Sequence, residues 1–242
     1  MTSFECLTWN IHRCRGRDGI IDPKRTMTVL IDLLETSPVD LLVLTEAEEE
    51  RRPFGAILDL DRIMGETGLS TGHADPSLLW SDDSHGFLGT IILHGPRLIP
   101  QGGHVVDLPG HCPRGAAVLT FHCEERPIRI IGTHLSLGQP ARIAQMRTIG
   151  QFLARQAPMP AVLLGDLNEW RPWGGLAFSR KIAGQDFSGP VRRSFPASLP
   201  FLPLDRALAT VPARVADARV LTSPALRETS DHLPLWARVT LD

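Results

Sequence analysis

The chain contains a run of four apolar residues, Ala161-Val162-Leu163-Leu164, that stops abruptly at Gly165-Asp166-Leu167-Asn168. Asp and Asn are poor strand residues and are rarely buried without partners, so packing alone does not explain such an ending. Taken alone, the two polar residues serve equally well as a turn bonding its own backbone or as part of a site. The choice depends on whether other strand ends supply partners. Several do. Phe4 to Trp9 reads as a strand that terminates in Asn10-Ile11-His12. Val39 to Thr45 is almost continuously apolar, as in a sheet covered on both faces, and delivers Glu46 at its end. Ile128 to Thr133 runs into His134-Leu135-Ser136.

Between these strands the pattern alternates with helices. Pro23 suits a first helical turn, and Met27, Leu30, Ile31 and Leu34 follow at helical spacing to about Glu35. Ala141 to Ala154 repeats the period through Ile143, Met146, Ile149 and Leu153, weakened by Gly150. A further helix is predicted within 54–66, and a helix-like piece over 175–183. Leu78 to Trp80 and Gly89 to Leu93 read as strands. Arg114 to Phe121 and Ile128 to His134 read as a hairpin-like pair. Leu204 to Ala209, Arg214 to Leu221 and Leu235 to Leu241 complete the strands. The segment 185–203, rich in Pro, Ser and Gly, is a long connection of the kind that is functional or mobile. Glu48, Glu49 and Glu50, followed by Arg51 and Arg52, read as a solvated loop.

A chain of 242 residues with 43% hydrophobic content supports a sizeable core, and no linker, repeat or low-complexity tract divides it. One domain over 1–242 is the expectation. Twenty-five basic against 27 acidic residues give a net charge of −2. That lowers the prior for polynucleotide binding, although a local cleft can still be basic. Cys6, Cys14, Cys112 and Cys123 lack zinc-site spacing and read as buried or incidental thiols. With no leader-like start and no membrane-length apolar run, a soluble cytoplasmic protein with no protein partner is the default expectation.

The polar residues left at strand ends and in turns are Asn10, Glu46, His134, Asp166, Asn168, Asp205, Asp231 and His232. Each has a bland explanation: His134 capping a turn, Asp205 pairing with Arg206, Asp231 bonding the turn before Pro234. In order, however, the segments Thr8-Trp9-Asn10, Glu46, Gly132-Thr133-His134-Leu135, Gly165-Asp166-Leu167-Asn168, Leu204-Asp205-Arg206-Ala207 and Ser230-Asp231-His232 resemble the endonuclease/exonuclease/phosphatase superfamily. These are the DNase I-like metal-dependent phosphoesterases. The resemblance spans essentially the whole chain. It implies an α/β fold, a four-layer αββα sandwich of two mixed β-sheets flanked by helices, with the site at one edge.

The resemblance also implies roles. Asp166 would orient or deprotonate the attacking water, with Asn168 holding it or a phosphoryl oxygen. His232 would face the phosphate with Asp205 on its other nitrogen, and His134 would be a second phosphate-facing group or general acid. Crowded carboxylates call for a cation, and oxygen ligands favour Mg²⁺ or Mn²⁺. Glu46 is the first choice of ligand, with Asn10 and Asp231. Arg114 is a weaker phosphate contact, balanced against a solvated strand-end arginine. The chain departs from the family in having Thr45 where many members carry Gln, and His12 where several nucleases carry Asp; His12 reads as either a phosphate contact or a spectator, the second slightly favoured.

A hydrolase of a small-molecule or lipid-type phosphoester is the leading expectation. The alternative is a nuclease using the basic 13–17 loop and stacking on Trp170 and Trp173. An inactive anion-binding module is the minor one.

Overall fold

The computed structural model describes residues 2–171 and 175–241. Its strands, in chain order, are β1 (Thr2–Asn10), β2 (Leu41–Thr45), β3 (Ser70–Thr71), β4 (Ile91–His94), β5 (Leu98–Leu108), β6 (Arg114–Cys123), β7 (Arg126–Thr133), β8 (Ala161–Asp166), β9 (Asp205–Ala209), β10 (Ala213–Val220) and β11 (Leu235–Leu241). The helices are α1 (Pro23–Thr36), α2 (Leu60–Thr67), α3 (Gln139–Leu153), α4 (Arg180–Ala183) and α5 (Pro224–Thr229). The strands form two mixed sheets, in the orders β10-β11-β1-β2-β4-β3 and β5-β6-β7-β8-β9.

The inner faces of the two sheets share one core. Phe4, Cys6, Val43 and Ile92 from the first sheet pack with Ala117, Leu119, Phe121, Ile130, Val162 and Leu164 from the second. Leu7, Trp9, Leu42 and Leu44 on the outer face of the first sheet meet Met27, Leu30, Ile31 and Leu34 of α1 and Ile63 of α2. Ile131 and Leu163 on the outer face of the second meet Met146, Ile149 and Leu153 of α3. The result is the αββα sandwich that the resemblance implies, with each outer sheet face covered by helices.

Each sheet contains one parallel pair, and each pair is joined through a helix, as parallel strands require. β1 and β2 run side by side with Asn10 opposite Thr45, and α1 makes the crossover. It is capped by Asp22, which accepts from the Arg25 N–H at 3.0 Å. β7 and β8 pair with Gly132 opposite Leu164, and α3 connects them. Gly150 is in α3 because a side chain there has no room: an added Cβ would lie 2.4 Å from the Ala183 carbonyl oxygen of α4.

Several local expectations are corrected. Leu78 ends a short 3-10 turn, Pro76–Leu78, rather than starting a strand. The 175–183 helix shortens to α4. The long strand β5 was not legible because Pro100, Gly102 and Gly103 interrupt its pattern. It lies at the sheet edge and shifts register between Pro100 and Gly102, where a proline and a bulge are tolerated. Glu48 is not solvated. It is 1% exposed, and its carboxylate accepts from the backbone N–H groups of His85, Gly86 and Gly89 at 2.7–2.8 Å. Burial raises its pKa against those three contacts. Three of the cysteines are buried thiols and Cys112 is exposed. Among the described residues no helix is long and apolar enough to cross a membrane.

Candidate active site

The parallel pairs end at the same edge of the sandwich, which is where open α/β sheets present binding groups. Asn10 closes β1, Glu46 follows β2, His134 follows β7, and Asp166 closes β8. The antiparallel strand β9 begins there too, with Asp205 opposite Asp166 in the ladder. His232 sits just before β11. Folding therefore brings residues separated by up to the whole chain onto one edge.

Hydrogen bonds tie the two sheets together across this edge. The Asn10 amide donates from Nδ2 to Asp166 Oδ2 at 3.0 Å and to Glu46 Oε1 at 3.4 Å. Its oxygen accepts the His12 N–H at 2.9 Å. The amide nitrogen thus faces the two carboxylates. Asp166 is 2% exposed, and its other oxygen accepts the Asn168 N–H at 3.0 Å. The Asn168 side chain donates to the Leu135 carbonyl at 2.9 Å and lies 3.1 Å from His134 Nε2. The same Nε2 lies 3.4 Å from Asp166 Oδ2, and Nδ1 faces Glu46 Oε1 at 3.7 Å.

Glu46 and Asn168 both adopt left-handed backbone, with φ of 50° and 52°. Neighbouring backbone holds the strained Glu46: its carbonyl accepts from Arg13 N at 3.0 Å, and Ala47 N donates to Gly89 O at 2.9 Å. Gly165 marks a close approach of β7 and β8. Its φ is 141°, and an added Cβ would lie 1.8 Å from the Thr133 carbonyl oxygen.

The second half of the cluster is an aspartate–histidine pair. His232 Nδ1 lies 2.8 Å from Asp205 Oδ2, and its Nε2 is 3.6 Å from Asp166 Oδ2. Asp205 does not pair with Arg206, whose guanidinium donates instead to the carbonyls of Pro203, Glu169 and Arg171. Two neighbours missed by sequence reasoning come from the 185–203 connection. Ser194 donates its hydroxyl to Asp205 Oδ2, and the Phe195 ring lies 4.7 Å from that of His232. No spacing rule links these residues to their partners, since the contacts exist only in the folded chain. Ser230 completes the bracket by donating to the Asn10 carbonyl at 2.7 Å.

The two histidines are driven apart electrostatically. Burial pulls His134 down to about 3, aided by Arg114 and opposed by Asp166, so it is neutral near pH 7. Burial also disfavours charge on His232, but Asp205 and then Asp166 override it and raise the pKa to about 10. One neutral and one protonated imidazole therefore face the same carboxylate. In its neutral form His134 can serve as a hydrogen-bonding group toward a phosphate.

Of the remaining positions, Asp231 is partly exposed, with Oδ1 lacking a hydrogen-bond partner and 3.4 Å from His12 Nδ1. Arg13, from the basic loop, ion-pairs with Glu46 Oε2. Arg114 heads β6 near Glu46 and Asp166, and burial lowers its pKa. Trp170 is 54% exposed, with Arg171 over its ring; Trp173 lies outside the described residues. Glu169 is fully buried between Arg142 and Arg171, an anchor for the Asn168 loop that the sequence did not reveal.

Asp166, Asp205 and His232 converge closely enough for an ion to be held among them. His232, however, is hydrogen-bonded through Nδ1 and protonated, and an imidazolium has no lone pair to give. Glu46 and Asp231 offer carboxylate oxygens of the kind a hard divalent cation takes, and Asp231 Oδ1 has no hydrogen-bond partner.

The sequence model of the Endonuclease/Exonuclease/phosphatase family matches residues 7–232, which contain every residue of this cluster. The chain belongs to the endonuclease/exonuclease/phosphatase family. Solved structures of similar fold include an endonuclease/exonuclease/phosphatase from Beutenbergia cavernae (20% identity, TM-score 0.66, 100% of this chain and 72% of that one). A mannosyl-6-phosphatase from Bacteroides thetaiotaomicron aligns at 14% identity and TM-score 0.73, over 98% of this chain and 99% of that one. The human Nocturnin catalytic domain, solved with a bound sulfate anion, aligns at 18% identity and TM-score 0.70, over 99% and 95%. No curated protein matches the sequence significantly. Family membership makes phosphoester hydrolysis the chemistry to which this edge is to be related.

Proposed function

We infer that residues 1–242 act as one catalytic domain that hydrolyses a small-molecule or lipid-type phosphoester with the help of a divalent cation. The observation that carries this reading is the pairing of Asp166 with a protonated, Asp205-bound His232 on the edge that also presents Glu46. Asp166 is the base for the attacking water. Both its oxygens are held, by Asn10 and by the Asn168 N–H, so one lone-pair direction is presented in a fixed orientation. His232, locked through Nδ1, offers Nε2–H and positive charge to the phosphoryl oxygens as charge builds on them. His134 and Asn168 supply further neutral hydrogen-bonding groups, and Arg114 a cationic contact to the anion. Glu46 and Asp231 would hold Mg²⁺ or Mn²⁺, with Asn10 orienting Glu46 and Asp166. When bound there the ion supplies Lewis-acid neutralisation of a phosphoryl oxygen.

The test is hydrolysis of a panel of sugar phosphates, phospholipid-type diesters and oligonucleotides with added Mg²⁺ or Mn²⁺. Asp166→Ala and His232→Ala are each expected to lower the rate on the order of 10²–10⁴-fold. Undiminished turnover in both variants removes the assignment. The exposed Trp170 supports the alternative reading as a nuclease; robust oligonucleotide cleavage with inert small esters would establish it. Binding of anions without metal-stimulated turnover on any ester would instead indicate an inactive module.

A further inference from the structure

At the edge of the second sheet opposite the candidate active site lies a cavity of about 520 Å³, between the ends of α3 and α4 and the turn that joins β9 to β10. Leu153, Met159, Pro160 and Pro212 give it apolar walls, and among the described residues no Asp, Glu or Lys lines it. Its polar groups are Arg129, Gln156 and Gln185. Arg129 stands opposite Ala161 where the β7–β8 ladder begins, at the other end of β8 from Asp166 and roughly 16 Å away along the strand. Three arginines are buried among the described residues. Arg142 ion-pairs with Glu169, and Arg206 donates to three carbonyls with Glu169 and Asp205 acting on its charge. Arg129 differs. It is 5% exposed, and burial lowers its pKa with no carboxylate to oppose the effect. Its Nη2 donates to the Ala157 carbonyl at 3.2 Å. Its Nε and Nη1 have no partner among the described residues, and neither is sealed from water. The last carbonyls of α3 cannot serve it, since those of Gly150, Phe152 and Leu153 accept from the N–H groups of Ala154, Arg155 and Gln156. A charge so largely enclosed by protein is ordinarily paired, and here the opposite charge is missing from the chain.

We propose that this cavity binds a small organic anion, one carboxylate or phosphate group on an apolar body, at a site separate from the catalytic edge. The proposal stands apart from the hydrolase reading. The volume falls within the roughly 300–1,000 Å³ of small-molecule sites, and mostly apolar walls with a few polar groups are the make-up of such sites. The acidic group meets the free N–H groups of Arg129, where charge-assisted hydrogen bonds replace the neutral ones that water supplies. With no carboxylate in the lining, nothing there repels it. The side-chain amides of Gln156 and Gln185 have no hydrogen-bond partner among the described residues and offer both donors and acceptors to the rest of the ligand. Leu153, Met159 and Pro212 enclose the apolar body.

The experiment titrates naphthylacetate, naphthylmethylphosphonate and the uncharged naphthylacetamide into the metal-free full chain by calorimetry. One or both anions should bind wild type about tenfold more tightly than the amide, as befits a charge-assisted contact; the tighter of the two tells carboxylate from phosphate. Arg129→Met should erase that preference while circular dichroism stays native. Gln185→Glu leaves Arg129 in place and adds a like charge, so it should weaken both anions by about tenfold and leave the amide unchanged; it decides the matter if Arg129→Met does not fold. His232→Ala should retain the preference, which separates this cavity from the catalytic edge and makes the result independent of whether any ester is hydrolysed. Absent or equal binding of the three probes in wild type overturns the site. So does an anion preference that survives Arg129→Met, or Gln185→Glu where Arg129→Met is unfolded, and so does one that is lost in His232→Ala.

Discussion

At the residue scale, one imidazole is set by its neighbour. The Asp205 carboxylate at 2.8 Å from His232 Nδ1 is the foremost influence opposing burial, and it holds the ring protonated up to about 10. Turnover that needs this proton should fall only on the alkaline side, near that value. Asp205→Asn removes the charge, so the alkaline limb of kcat/KM should move to lower pH by about 1–3 units; a limb that stays in place would exclude Asp205 as its cause. Glu46→Gln is a separate case. It should weaken Mg²⁺ or Mn²⁺ binding, read by calorimetry without substrate, by about tenfold or more. Adjacent glutamates illustrate what a sequence can convey at this scale. Glu46 was marked by the apolar strand before it, whereas the burial of Glu48 depends on N–H groups of 85–89, far along the chain. Likewise the partner of Arg13 became visible only when β1 and β2 were laid side by side.

Among the elements, the buried parallel strands were the legible ones, because their apolar runs are continuous and their polar ends conspicuous. Edge strand β5 and the Ser194–Phe195 segment were not, since a bulge breaks the first pattern and only tertiary contact gives the second its place. The segment has its own prediction. Ser194→Ala leaves the buried Asp205 carboxylate short of a donor and should lower stability by about 1–3 kcal/mol in urea unfolding. No change would mean that the hydroxyl is dispensable. At Gly165 the Thr133 carbonyl of β7 leaves no room for a side chain. Gly165→Ala must push the Thr133 carbonyl away and relax a φ of 141°, so both stability and turnover should drop. Retention of full activity would show that Asp166 does not need this spacing.

For the whole molecule, the inner core between the sheets carries the stability. Phe121→Ala removes a fully buried ring from it and should cost about 3–5 kcal/mol in denaturant unfolding. His134 contributes to the acid limit. Its folded pKa of about 3 lies below its ordinary value of 6.5, so the unfolded chain takes up a proton that the folded chain refuses. Stability of the metal-free protein should therefore fall as pH drops from about 6.5 toward 3, with buried His73, pulled down to about 4, adding in the same sense, and His134→Gln should lessen that slope in pH-dependent melts.

The hydrogen bond Asn10–Asp166 joins one sheet to the other, and His232–Asp205 ties the segment leading into β11 to β9 of the second sheet. The reaction centre thus works as a caliper on the gap between two slabs. Any change that widens or shears that gap, even a cavity cut far from the edge, misaligns the base from the imidazolium before either slab comes apart. In a series of inner-core truncations, turnover should fade at denaturant concentrations where circular dichroism still reports a native molecule, and catalysis would then be the more sensitive measure of how the two sheets sit together.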